Sequence, residues 1–167
     1  MMQMNFCVPF ISALIPVLVG MIWYNPSFFG NVWMKEVGIT PGEVSVSKMI
    51  KIISFTYLLS LLVAFALISI VIHQTHLFSL NAEAPNVNDP NSEAGKYLAS
   101  LFNKMGNDFR TFKHGVFHGT MAGIMLAIPM IGMGAMYERR SFKYVMISSG
   151  FWIVSMELMG GVLCRFM

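Results

Sequence analysis

The sequence predicts an all-helical membrane protein: a four-transmembrane-helix bundle with short interfacial amphipathic helices. Three observations carry this. Of 167 residues, 56% are hydrophobic and only 11% are charged, whereas a soluble domain draws on about 25% charged residues to cover its surface. Mean hydropathy is +0.64. Four apolar stretches reach the roughly 20 residues that a helix needs to cross the hydrocarbon core. Together these exclude a soluble enzyme, a disordered chain and a coiled coil. Four spans fill the length, so residues 1–167 form a single membrane domain with no room for a second.

The first span is expected over residues 6–24, uncharged, bent by Pro9 and Pro16, which each remove a backbone donor. It lacks a basic leader and a small-residue cleavage site, so it reads as a retained span. Asn25-Pro26 then gives an N-cap followed by proline at the first helical position. Phe28, Phe29, Val32 and Trp33 share one face, with Trp23 and Tyr24 just ahead. Aromatic residues so placed belong at headgroup level, which predicts a short helix lying on the membrane interface. Thr40-Pro41-Gly42-Glu43 reads as a capping box that opens a helix running into the second span, residues 52–72.

The connection 73–115 lies outside the membrane in this reading. Its first part, His73 to Asn91, is rich in Asn, Asp, Ser and Pro and reads as loop. From Ser92 onward Leu98, Leu101, Phe102, Met105, Phe109 and Phe112 recur at helical spacing, which predicts an amphipathic interfacial helix over about 93–113. The third span follows over 116–136 and the fourth over 144–163, the latter with one charge, Glu157.

Orientation rests on lysine and arginine. Lys35, Lys48 and Lys51 lie between spans one and two, and Arg139, Arg140 and Lys143 in the tight turn between spans three and four. Dense positive charge in short loops favours the cytoplasmic side, which places both termini and the long connection outside. The net charge of +3 forms no basic stripe, so nucleic acid is not an expected partner. Membrane lipids are.

Few residues carry chemistry. Gly115, Gly119 and Gly123 are four apart and offer one helix face for close packing, either within the bundle or between copies. Pro129 frees the carbonyl of Met125 among Met121, Met130, Met133 and Met136, which fits adaptable packing or a path for a soft cation. Glu157 lies inside a span, where an ionised carboxylate costs on the order of 3 kcal/mol. It serves a proton or ion relay, or stays neutral and hydrogen-bonded. His73 and His76 follow span two, and His114 and His118 stand at i, i+4 at the start of span three. Imidazoles on one helix face can share a metal ion. The set open to a metal is the four histidines, or three of them with Glu157; without metal, His118 pairs with Glu157. Cys7 and Cys164 fall at the same end and read as unpaired thiols. HExxH, GxSxG, P-loop and dinucleotide-binding patterns are missing.

Two blocks carry a family likeness: Gly20-x2-Trp23-Tyr24-x-Pro26-x2-Phe29-Gly30-x2-Trp33, and the glycine-rich third span with Tyr137-Glu138-Arg139-Arg140-Ser141 and the apolar run ending Leu158-Met159-Gly160-Gly161. The sequence resembles the family termed domain of unknown function 1761 (DUF1761), small bacterial integral membrane proteins. The resemblance implies about four spans and a bacterial inner membrane, and it brings no reaction and no catalytic residues. The polar connection here is longer than the family implies.

The functional expectation is therefore a protein that acts by association, as a homo-oligomer or an accessory subunit of a membrane assembly, without catalysis of its own and without an obligatory cofactor. Two alternatives stay open. One is a small-solute or proton transporter using Glu157. The other is a metal-binding membrane protein using His73, His76, His114 and His118. A lipid ligand fits any of the three.

Overall fold

The computed structural model describes residues 4–40, 42 and 44–167, with every side chain among them except that of Phe78. The chain is 76% helix, and no strand occurs among the described residues. Helices Val46–Val71, Phe112–Tyr137 and Phe142–Phe166 are each long and apolar enough to cross a membrane. A fourth crossing results if Val8–Trp23 and Pro26–Val37, bent by 53° relative to one another, count as one.

The N-terminal segment is more broken than the sequence predicts. It consists of α1 (Val8–Ser12) and α2 (Ile15–Trp23). Pro9 and Pro16 each sit in the first turn of their helix, where a missing N–H costs little. The two prolines thus start two helices rather than kink one. Asn25 caps the next segment by accepting from the Ser27 amide at 2.9 Å, and a wide turn over Pro26–Gly30 leads into α3 (Asn31–Val37). Gly30 is required there, because a Cβ would run into the Tyr24 carbonyl and the Asn25 backbone. α3 is tied to the far turn: the Arg140 guanidinium donates to the Glu36 carbonyl at 3.2 Å, and the Ser141 hydroxyl donates to the Glu36 carboxylate.

Of the expected capping box, Pro41 and Glu43 lie outside the described residues. The long helix α4 (Val46–Val71) is capped instead by Ser45, whose hydroxyl accepts from the Lys48 amide at 3.4 Å. Two further expectations are corrected beyond it. Gln74–Asn81, read as loop, forms a helix, α5. The amphipathic helix α6 spans Glu93–Met105 and stops well short of residue 113. Gly106-Asn107-Asp108 turns the chain, and Phe109 takes a left-handed φ of 60°. The buried Gln74 amide holds this turn by donating to the carbonyls of Met105 (3.1 Å) and Asp108 (2.8 Å).

Thr111 caps α7 (Phe112–Ala122) through the His114 amide. A π-helical turn, Gly123–Ala127, leads into α8 (Ile128–Tyr137), and Pro129 stands at the start of α8. Widening the helix one turn ahead of the proline relieves the clash of its ring with the Met125 carbonyl. Met125, Met130, Met133 and Met136 all project outward, 56–79% exposed, so they line no interior path.

α9 (Phe142–Phe166), capped by Ser141, is the central helix. Its apolar window is 56% buried, against 22% for the other two membrane-length helices. Ala64, Leu67 and Val71 of α4 and Ala122 of α7 form one core with Met159, Leu163 and Cys164 of α9. The opposite side of α4 is an outward apolar face that includes Phe55 and Leu62, about two-thirds exposed. Burying such groups in hydrocarbon rather than leaving them in water is worth about 25 cal/mol per Å2, the driving force expected of a membrane helix.

Candidate metal centre

The site is assembled from the end of α4 and the first two turns of α7. His73 stands at the seam between α4 and α5, directly after Ile72, the residue that caps the end of α4. Its neighbour Gln74 anchors the seam through the two carbonyls described above. His114 and His118 are one turn apart on α7, so their rings project from one side of the helix. That side is fixed by the adjoining glycine face. A Cβ on Gly115 would strike the Gly160 carbonyl and the Cys164 Cβ, one on Gly119 the Met156 carbonyl, and one on Gly123 the Ile153 Cα. α7 therefore lies backbone-to-backbone on α9, and the glycine face is covered by α9 of the same chain.

The three imidazoles converge. His73 Nε2 lies 3.0 Å from His114 Nε2 and 3.3 Å from His118 Nε2. One nitrogen from each ring falls within 4.8 Å of the others. The His73 ring stands edge-on to both partners, with interplanar angles of 81° and 82°. Phe109 packs 5.3 Å from His114 and Phe117 5.3 Å from His118, so apolar rings hold the outer sides. His73 is exposed, and His114 and His118 are half-buried.

Hydrogen bonding alone satisfies this arrangement poorly. An imidazole nitrogen has one in-plane site, holding either a proton or a lone pair. His73 Nε2 faces two other nitrogens and can pair well with one. A cation among the three nitrogens accepts all three lone pairs. The two spacings from His73, 3.0 and 3.3 Å, fit: with metal–nitrogen distances of about 2.0–2.1 Å, a tetrahedral ion holds ligand nitrogens about 3.3 Å apart. Imidazole ligands suit Zn, Cu, Fe and Ni. No carboxylate or thiolate of the described residues joins the group.

The remaining sequence candidates lie elsewhere. His76 is exposed on α5 and is not part of the cluster. Glu157 is half-buried, and among the described residues it has no hydrogen-bond or ion-pair partner, His118 included. Cys7 and Cys164 are free thiols, the first exposed and the second buried. The Cys164 thiol points to the Phe109 carbonyl at 3.4 Å, and its own carbonyl accepts from Arg110 Nε at 3.0 Å. Partial burial lowers the pKa of the Arg110 guanidinium, which remains charged. Ser60, Ser149 and Ser155 carry buried hydroxyls without partners among the described residues; nothing in their sequence spacing points to them.

The aromatic block forms a second constellation at the opposite end of α9. Trp23 Nε1 donates to the Ile147 carbonyl at 3.0 Å, and its ring packs 4.7 Å from Phe29. Tyr24 packs on Trp33 and Phe151, at 5.0 and 5.4 Å. Gly150 makes room for the Trp23 ring, since a Cβ there would come within 2.9 Å of it. This block holds the first segment to α9 and gathers no ligating groups. A cavity of about 820 Å3 between α5 and α6, lined by Val87, Leu98, Ala99 and Phe102, includes no titratable side chain and none of the three histidines.

No curated protein and no solved structure matches the chain. The family described as a protein of unknown function, DUF1761, matches residues 9–164, nearly the whole length and both blocks of the sequence likeness, and the chain belongs to that family.

Proposed function

We propose that this protein is a four-span helical membrane protein that binds one divalent transition-metal ion, of the zinc class, through Nε2 of His73, His114 and His118. The observation that carries the reading is the convergence of three imidazole nitrogens, one from the α4–α5 seam and two from α7, within 4.8 Å of one another. In this reading the fourth crossing is the bent N-terminal pair, and the site lies at the non-cytoplasmic end. The test is metal content. Protein purified in lipid nanodiscs, stripped with chelator and dialysed against Zn2+, is expected to hold one zinc per chain by elemental analysis. The substitutions His114→Ala and His118→Ala are expected to lose it, and His76→Ala to keep it. Zinc retained by a variant lacking all three cluster histidines overturns the proposal.

A second reading, association with another membrane subunit, is supported by Glu157. A half-buried carboxyl within a membrane-length helix and without a partner among the described residues is costly, and a donor on a neighbouring chain relieves that cost. This reading moves the association surface away from Gly115, Gly119 and Gly123, which α9 already covers. Native mass spectrometry of the gently extracted protein tests it: a second subunit that persists after Glu157→Leu removes Glu157 from the contact.

A further inference from the structure

We infer that the histidine centre is an anion-binding site: its metal ion keeps a coordination position open to a small monodentate anion, hydroxide included, that enters from the surrounding medium. The inference rests on the metal reading above and extends it to the ligand.

Three features of the site support it. The first is the ligand count. The protein supplies three nitrogen ligands and no fourth among the described residues, since His76, Cys164, Asp108 and Glu157 all stand outside the group. A zinc-class ion is four-coordinate, and sites with three protein ligands hold water or substrate at the fourth position.

Charge favours an anion at that position. Neutral imidazoles leave the full 2+ charge on the ion, and no described carboxylate in the group offsets it. His118 lies six residues into a membrane-length helix, about 9 Å along its axis. Phe109 and Phe117 flank the rings on the outside. A charge held beside hydrocarbon and aromatic surface is costly unless it is paired. An anionic ligand halves it, and neutral water does not. Access is open, because His73 is exposed and the Phe109 and Phe117 rings are themselves 69% and 60% exposed.

The ligand shell also has no outer support. Each ring's polar contact is made through Nε2, and no described residue accepts from its Nδ1. Ligating histidines normally donate that second N–H to a carboxylate or carbonyl, and losing such a partner costs about 10–100-fold in metal affinity or activity. The anion then provides negative charge that no described residue brings to the ion.

Cobalt(II) is the probe, because its visible absorption reports coordination. Nanodisc-embedded protein is loaded with one equivalent of Co2+ and titrated with sodium azide at constant ionic strength. The expected result is a saturable shift of the cobalt bands with one azide per cobalt, unchanged in His76→Ala. Cobalt that binds at one equivalent but whose bands do not respond to azide overturns the inference and leaves the metal reading standing. A response seen only in His76→Ala identifies His76 as the fourth ligand and also overturns it. Failure of the protein to bind cobalt overturns both readings.

Discussion

His73 is the residue that makes a pair of helical histidines into a site. His114 and His118 were legible together, since i, i+4 spacing puts two rings on one side of any helix. That His73 joins them and His76 does not was not legible. The choice depends on α4 ending at Val71 and α5 starting at Gln74, which turns two histidines three residues apart in different directions. Binding to the folded state alone stabilises a protein by about 2.7 kcal/mol when the free ligand is at 100 times its Kd. Zn2+ at that excess is therefore expected to raise the thermal midpoint of the intact protein. His118→Ala is expected to leave the midpoint unmoved by zinc, and His76→Ala to keep the whole increment, as read by thermal unfolding with and without chelator.

Among the elements, the membrane-length helices were the most legible. Long apolar runs have one solution in hydrocarbon, so the expected spans 52–72, 116–136 and 144–163 fall on α4, α7 with α8, and α9. Errors gathered where tertiary contacts decide. Phe109 and Phe112 continue the apolar spacing of α6, yet Gly106-Asn107-Asp108 breaks the helix, and the Gln74 amide reaches in from 31 and 34 residues away to hold the break. α5 has too few apolar positions to show a period. The α7–α9 contact makes a prediction that separates two glycine types. Gly119→Val places carbon against the Met156 backbone and is expected to destabilise by about 1–3 kcal/mol or more, the usual cost of overpacking. A Cβ at Gly134, in α8, would meet nothing within 4 Å, and Gly134→Ala is expected to gain up to about 1 kcal/mol from helix propensity. Unfolding in mixed detergent micelles compares the two.

For the whole molecule, the arrangement is polar end to end. The histidine cluster, α5, α6 and the Met167 carbonyl, which accepts from the Asn5 amide at 2.8 Å, gather at one end of α9. The aromatic block, α3 and the Arg140–Glu36 contact gather at the other. Lys35, Arg139 and Arg140 stand at the second end, which faces the cytoplasm in the orientation expected from the positive-inside tendency. A Ser100→Cys variant on exposed α6, made with Cys7→Ser, is expected to react with a membrane-impermeant maleimide added to intact spheroplasts. Labelling that requires lysis reverses the orientation and turns the histidine centre toward the cytoplasm.

The histidine triad brackets the long connection. His73 and His114 are 41 residues apart in sequence, yet their nitrogens are neighbours, so the chain between them leaves and returns to the same point. Doubling the length of such an excursion costs only about 0.6 kcal/mol in closure entropy. Inserting one residue between His114 and His118 rotates one ring away by about 100° and dismantles the triad. Extra chain between Asn81 and Glu93 is thus expected to leave the centre intact so long as Gln74 keeps its hold on the Met105 and Asp108 carbonyls, while the five residues His114–His118 of α7 and the seam after α4 keep its register.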